Sequence, residues 1–219
     1  MLPKVSKRIE NIREVMLPLT RGKRLLDVGC IGHDFEARQV MGTFYIADFQ
    51  KVAAYVKGID ILAEDVERAR KRGFEVEVGD AETFVDGQKY DVIFAGELIE
   101  HLSNPGNFLK CAKENLADDG VMVLSTPNTF SFSRMLRCVT RMTNDPPLNE
   151  EHTCYFTPQT LQQLITRWGF RIDQLYYSDY DYGAIVMSRK KAAFLRFNAA
   201  LSRVAPKFSQ SFIVELRKA

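Results

Sequence analysis

Three side chains are spaced as if to act together: Glu97, Glu100 and His101, in the run Gly96-Glu97-Leu98-Ile99-Glu100-His101-Leu102. Positions i, i+3 and i+4 share one face of a helical turn, so a helix here would gather two carboxylates and an imidazole. That donor set suits a divalent ion such as Mg²⁺, Mn²⁺ or Zn²⁺. Without an ion, His101 is the residue type of a general base working near neutral pH, with Glu100 as its catalytic neighbour. The two roles exclude each other for His101, because a nitrogen that holds a metal cannot also take a proton.

A second group of residues marks strand ends. Leu25-Leu26-Asp27-Val28-Gly29-Cys30-Ile31-Gly32 is an apolar strand that closes on an acid and two glycines. Glycines at the carboxyl end of a first parallel strand let backbone approach a ligand closely. About thirty positions on, Asp60 ends Gly58-Ile59-Asp60-Ile61, where a carboxylate accepts hydrogen bonds from both hydroxyls of a ribose. Asp80 ends a third strand in Val78-Gly79-Asp80-Ala81.

These residues need a scaffold that lines up strand ends. Apolar strand-like runs alternate with amphipathic stretches from residue 24 to residue 127, the pattern of a parallel sheet covered on both faces. Strands are expected at 24–30, 55–61, 74–79, 90–96, 120–126, 170–177 and 212–216. Helices are expected across 1–23, at 63–72 and 105–116, from Thr157-Pro158 to Gly169, and at 190–204. Asp119-Gly120 marks a turn into the fifth strand. The long stretch 127–156 has no regular pattern, and long loops in compact domains usually carry function.

Together, Leu26-Asp27-Val28-Gly29-Cys30, Gly58-Ile59-Asp60, Gly79-Asp80-Ala81, Tyr90-Asp91-Val92-Ile93-Phe94 and Leu124-Ser125-Thr126-Pro127-Asn128 resemble the class I S-adenosylmethionine-dependent methyltransferase family over residues 24 to 180. The resemblance implies a Rossmann-like α/β fold: a mostly parallel seven-stranded sheet, helices on both faces and a C-terminal antiparallel strand. It also implies S-adenosylmethionine as cofactor, with contacts at Asp27, Gly29, Cys30, Gly32, Asp60, Ile61, Asp80, Ala81 and Glu97. The family's Gly-x-Gly-x-Gly turn is altered here, since Gly29-Cys30-Ile31-Gly32-His33 lacks the middle glycine.

The Glu-x-x-Glu-His run is similar to that of quinone-biosynthesis O-methyltransferases and of small-RNA terminal 2′-O-methyltransferases, where it is associated with a metal. That resemblance adds His152 to Glu97, Glu100 and His101 as a metal ligand set. Acceptor contacts are expected at Arg134, Arg137, His152 and Tyr155, with Phe130, Phe132, Met135, Leu136 and Met142 closing a lid over the cleft. Pro146-Pro147 would stiffen the far side of that loop.

A length of 219 residues suits one domain, divided into an N-terminal helix (1–23), a cofactor-binding half (24–127), a substrate loop (128–156) and a C-terminal half (157–219). Four scattered cysteines give neither a zinc knuckle nor a disulfide framework, and no stretch suits a membrane span or a secretory signal, so a cytoplasmic setting is expected. The absence of Gly-x-Gly-x-x-Gly argues against a nicotinamide enzyme.

Charge is uneven: residues 1–24 carry seven basic and two acidic side chains and 189–219 eight against one, which leaves the middle acidic. An acidic middle disfavours nucleic acid; the resemblance implies a small-molecule, lipid or glycan hydroxyl as acceptor. RNA 2′-O-methylation and a non-catalytic binding protein remain the alternatives. The 190–204 helix carries Phe194, Phe197, Leu201 and Val204 on one stripe beside basic residues. The resemblance implies that it packs on the core, while its composition leaves a peripheral membrane contact open. Oligomeric state leaves no mark on the sequence.

Overall fold

The computed structural model describes residues 7–32, 35–141, 151–179 and 189–219. Its strands are β1 (Lys7–Arg8), β2 (Arg24–Val28), β3 (Tyr55–Asp60), β4 (Val76–Val78), β5 (Tyr90–Gly96), β6 (Leu116–Pro127), β7 (Phe170–Ser178) and β8 (Ser211–Lys218). Its helices are α1 (Arg13–Thr20), α2 (Phe35–Val40), α3 (Ile46–Phe49), α4 (Ala63–Lys71), α5 (Pro105–Asn115), α6 (Phe132–Arg141), α7 (Pro158–Arg167) and α8 (Arg189–Val204).

All eight strands join one sheet in the order β1-β7-β8-β6-β5-β2-β3-β4. β8 runs antiparallel to both β6 and β7, and the other pairings are parallel. The expected Rossmann-like α/β architecture is therefore present, with each of the seven expected strands and one more. The extra strand, β1, is two charged residues without apolar alternation, ordered by pairing with Tyr176 and Tyr177 of β7.

Successive residues of β5 explain why the sheet is covered twice. Ile93 and Ala95 pack into one buried cluster, Val92 and Phe94 into the other. Leu26 and Leu25 of β2 divide the same way. A strand that buries both faces reads as a continuous apolar run. The α7 start is as expected: Thr160 N donates to Thr157 Oγ1 and Thr157 N donates to Thr160 Oγ1, with Pro158 at the first position.

Four expectations need correction. The N-terminal helix spans only Arg13–Thr20, because the Glu14 carboxylate accepts from the backbone of Glu10 and Asn11 and starts the helix there; residues 1–6 lie outside the described set. The Asp119-Gly120 turn falls inside β6, whose register with β5 jumps from Tyr90–Leu116 to Val92–Val121. The supposedly irregular stretch 127–156 contains α6. Finally, α8 buries Asn198 and Ser202 and leaves Phe197 and Val204 exposed, so its apolar stripe does not pack on the core as a whole. Met142, Pro146 and Pro147 lie outside the described residues.

Candidate functional site

The carboxyl ends of β2 to β6 open on a cavity of about 830 Å³. Its floor is the glycine turn after β2. Gly29 and Gly32 have φ of +71° and +68°, in the left-handed region that a Cβ disfavours. A Cβ on Gly29 would also lie 2.9 Å from Leu98 Cδ1, and one on Gly32 would lie 2.5 Å from Arg38 Nη1. Between them Ile31 is fully buried in the core, which is how the turn closes without its middle glycine.

Asp60 clamps this turn. Ile31 N and Gly32 N donate to its Oδ2 at 2.9 and 3.2 Å, and Leu62 N donates to Oδ1 at 3.1 Å. Oδ1 therefore keeps a lone pair facing the cavity that Asp60 lines. Asp27, one strand over, is buried, and its carboxyl is pushed up to about 7. Loss of water is the main cause, opposed by the nearby Arg38 guanidinium and reinforced by the Asp60 charge. Gly29, Gly32, Asp60, Ile61, Asp80 and Ala81 line the cavity. Cys30 does not: it is buried, with its thiol turned toward Gly58.

The Glu97 to His101 run takes a different shape from the single helical face its spacing suggests. Glu97 is the one non-glycine residue with positive φ among the described residues, at +51°. Such backbone costs about 1–3 kcal/mol and persists where neighbours fix it. Here Glu97 N donates to Ser125 O at 3.0 Å, and Ser211 Oγ donates to Glu97 Oε1 at 2.7 Å. A single 3-10 turn, Ile99–His101, follows. Glu97 is thereby held on the β6 and β8 side, while Glu100 and His101 turn toward the 151–155 segment.

Glu100 is buried. Thr126 Oγ1 donates to its Oε2 at 2.9 Å, and Oε1 is buried with no hydrogen-bond partner. Burial, then repulsion from Glu97, holds its carboxyl far above the usual carboxylate range. Thr153 brings the downstream histidine in: its N donates to Glu100 O at 2.8 Å and its Oγ1 to Leu102 O at 2.7 Å. The rings of His101 and His152 then meet edge to face at 4.7 Å. Ligand atoms of Glu100, His101 and His152 lie within 4.8 Å of one another; Glu97 is not in that group. His101 Nδ1 is 3.8 Å from Glu151 Oε2.

Of the expected acceptor residues, His152 lines the cavity. Tyr155 stands behind it, 5.9 Å from the His152 ring, and the Arg134 guanidinium lies 5.8 Å over the Tyr155 ring. Arg134 is more than nine-tenths buried, whereas Arg137 is exposed. The expected lid does not form from Phe130, Met135 and Leu136, which are exposed and turned away from the cavity. Sequence reading missed Arg38, Thr126, Thr153 and Ser211. Thr126 lies in a strand-end run that gave it no role of its own, Arg38 bonds only to nearby Ile31 and Thr43 backbone, and Thr153 and Ser211 are placed by partners distant in the chain.

The model of the family described as "Methyltransferase domain" matches residues 2–175. Among curated proteins, the chain is similar to a "Ubiquinone biosynthesis O-methyltransferase" of Actinobacillus pleuropneumoniae, 33% identical over 127 residues, 52% of this chain and 50% of that one. A protein of the same name from Neisseria meningitidis is 30% identical over 117 residues, 49% of this chain and 45% of that one. The chain thus spans about half the length of the curated relatives it matches. Among solved structures, a SAM dependent methyltransferase from Archaeoglobus fulgidus superposes with a TM-score of 0.62 at 18% identity, covering 94% of this chain and 91% of that one. The magnesium protoporphyrin IX methyltransferase of Synechocystis PCC 6803 with bound SAH gives 0.55 at 15% identity, covering 95% and 78%. Those two likenesses show the fold, and the family match over four-fifths of the sequence shows the kinship: the chain belongs to the methyltransferase-domain family, built on the class I S-adenosylmethionine-dependent fold.

Proposed function

We propose that the chain transfers the methyl group of S-adenosylmethionine to a hydroxyl of a small-molecule acceptor. The observation that supports this most is that one cavity is lined both by the Asp60-clamped glycine turn and by Glu100, His101 and His152. In this reading Asp60 Oδ1 accepts from the ribose, the Gly29 and Gly32 backbone passes under the methionine end, and Ile61, Asp80 and Ala81 border the adenine. Glu97 reaches the cofactor from the β5 end. The relatives named for O-methylation favour oxygen as the atom methylated.

Methyl transfer needs the acceptor oxygen in line with the sulfonium methyl and its proton removed as the C–O bond forms and the C–S bond breaks. His101 lines the cavity and is the imidazole that would take that proton, with Glu151 Oε2 3.8 Å from its Nδ1. Arg134, stacked on Tyr155 beside His152, would favour an acceptor carrying negative charge near its hydroxyl.

A divalent metal is the second reading, favoured by the bare buried Oε1 of Glu100 next to two imidazoles. Glu100, His101 and His152 would hold it, and when bound it would lower the pKa of the acceptor hydroxyl. His101 would then be a ligand and not the base. Glu97 is outside this set, held instead by Ser211.

The test is methyl transfer from labelled S-adenosylmethionine to hydroxylated aromatic acceptors, by metal-stripped protein and with Mg²⁺, Mn²⁺ or Zn²⁺ restored. Turnover without metal that is lost in His101→Ala supports the base. Turnover only with metal moves His101 into the ligand set. No transfer to any hydroxyl acceptor, with the cofactor bound, would sink the oxygen reading.

A further inference from the structure

Arg38 is the one Lys or Arg among the described residues that line the cavity; apart from two histidines, the other titratable side chains there, from Glu10 and Asp60 to Glu97 and Asp179, are carboxyls or Tyr45. It stands on α2 and reaches back across the glycine turn. Its Nη1 donates to Ile31 O at 3.0 Å and its Nη2 to Thr43 O at 2.7 Å. Position 32 must lack a side chain for this to happen, because a Cβ there would lie 2.5 Å from Nη1 and 3.2 Å from Cδ. Ile31 is thereby pinned from both sides, its N–H on Asp60 and its carbonyl under Arg38.

These bonds use two of the five N–H groups of a guanidinium. Both go to neutral backbone carbonyls, and among the described residues no carboxylate forms an ion pair with Arg38. Asp27 is close enough to feel its charge, but with its carboxyl pushed up to about 7 it carries a proton part of the time near neutral pH and does not cancel that charge. A cation so placed on a cavity wall favours an anionic group of whatever fills the cavity.

We propose that Arg38 binds the α-carboxylate of S-adenosylmethionine and makes the site selective for the intact cofactor over its decarboxylated form. The inference rests on the methyl-transfer reading, in which the Gly29 and Gly32 backbone passes under the methionine end while Asp60 takes the ribose. Nη1 occupies the space of the missing side chain at position 32, so the positive charge lies beside that end. A guanidinium fork matches a carboxylate with two parallel N–H groups. The decarboxylated cofactor keeps the ammonium and lacks the carboxylate, so it would set one cation near another and leave Arg38 without its partner. In a turn without its middle glycine, Arg38 thus holds the Ile31 carbonyl and presents charge to the ligand at once.

The experiment is calorimetric titration of the full chain with S-adenosylhomocysteine and with its decarboxylated analogue, which differs only in lacking the carboxylate. The parent should prefer S-adenosylhomocysteine by about tenfold to a hundredfold, the size of hydrogen bonds between charged groups. Arg38→Gln should lose that preference through weaker S-adenosylhomocysteine binding, with affinity for the analogue unchanged or higher. Arg38→Lys, which keeps the charge without the fork, should retain part of the preference. Unchanged binding of the analogue also shows that the variant site is folded. Equal loss of both ligands in Arg38→Gln would confine Arg38 to shaping the turn, and an undiminished preference would put the carboxylate elsewhere; either overturns the proposal. A folded parent that binds neither compound contradicts the cofactor reading itself, and the proposal falls with it.

Discussion

Glu100 keeps one carboxylate oxygen on Thr126 and leaves the other buried and bare, a few ångströms from two imidazoles. Such an atom costs stability unless a proton, a metal or a substrate meets it. Asp60 works in the opposite way, with three backbone amides already on its carboxylate. Asp60→Ala should therefore weaken S-adenosylhomocysteine binding by about tenfold to a hundredfold, the size of one or two hydrogen bonds to a charged group, measured by titration calorimetry. His101→Ala should leave that affinity unchanged and lower turnover by about 10²–10⁴, read in the transfer assay. Asp27 supplies a pH signature. Its folded-state pKa of about 7 lies above the ~3.9 of an unfolded carboxyl, so the folded chain holds a proton that the unfolded chain has lost. Stability from this residue is whole below about pH 4, falls from there to about pH 7, and is flat above. The difference in unfolding free energy between the parent and Asp27→Asn should shift in favour of the variant across that window, by up to about 4 kcal/mol; parallel curves would contradict it.

At the scale of elements, the site depends on two short pieces being pinned to each other. The 3-10 turn at Ile99–His101 receives its partner histidine only because Thr153 is hydrogen-bonded to the backbone of Glu100 and Leu102. Thr153→Ala should lower kcat about tenfold with unchanged cofactor affinity, and Thr153→Ser should restore it; a loss of cofactor affinity instead would show general loosening. Gly29→Ala should cost about 1–2 kcal/mol in denaturant unfolding, since it forces a side chain into left-handed backbone facing Leu98. Asp60 and the glycine turn were legible in the sequence because strand-end acids and glycines have one common use. The arrangement of Glu97, Glu100 and His101 was only half legible. Their spacing fits a helix, but Ser125 and Ser211, placed by β6 and β8, hold Glu97 in a conformation that helix spacing cannot encode. Thr153 carries no local signal.

The whole molecule was the most legible level, because buried parallel strands announce themselves as apolar runs: each of the seven expected strands is present, with β4 shortened to Val76–Val78 and β6 begun earlier, at Leu116. What escaped was set by tertiary contact: β1 exists through its pairing with Tyr176 and Tyr177, and α6 through the polar contacts of its inner face. The apolar residues of that stretch were expected as a lid over the cleft, whereas Met135 and Leu136 of α6 are exposed. No helix among the described residues is long and apolar enough to cross a membrane. Doubly wound sheets bind ligands at the carboxyl ends of their strands, and the 830 Å³ cavity lies there. The measurement that bears most directly on this account is calorimetric titration of the metal-stripped chain and of Asp60→Ala with S-adenosylhomocysteine. One-to-one binding by the parent, weakened at least about tenfold in the variant, is the predicted result. Equal affinity in the two proteins, or no binding by a folded parent, would contradict the placement of the cofactor and with it the proposed reaction.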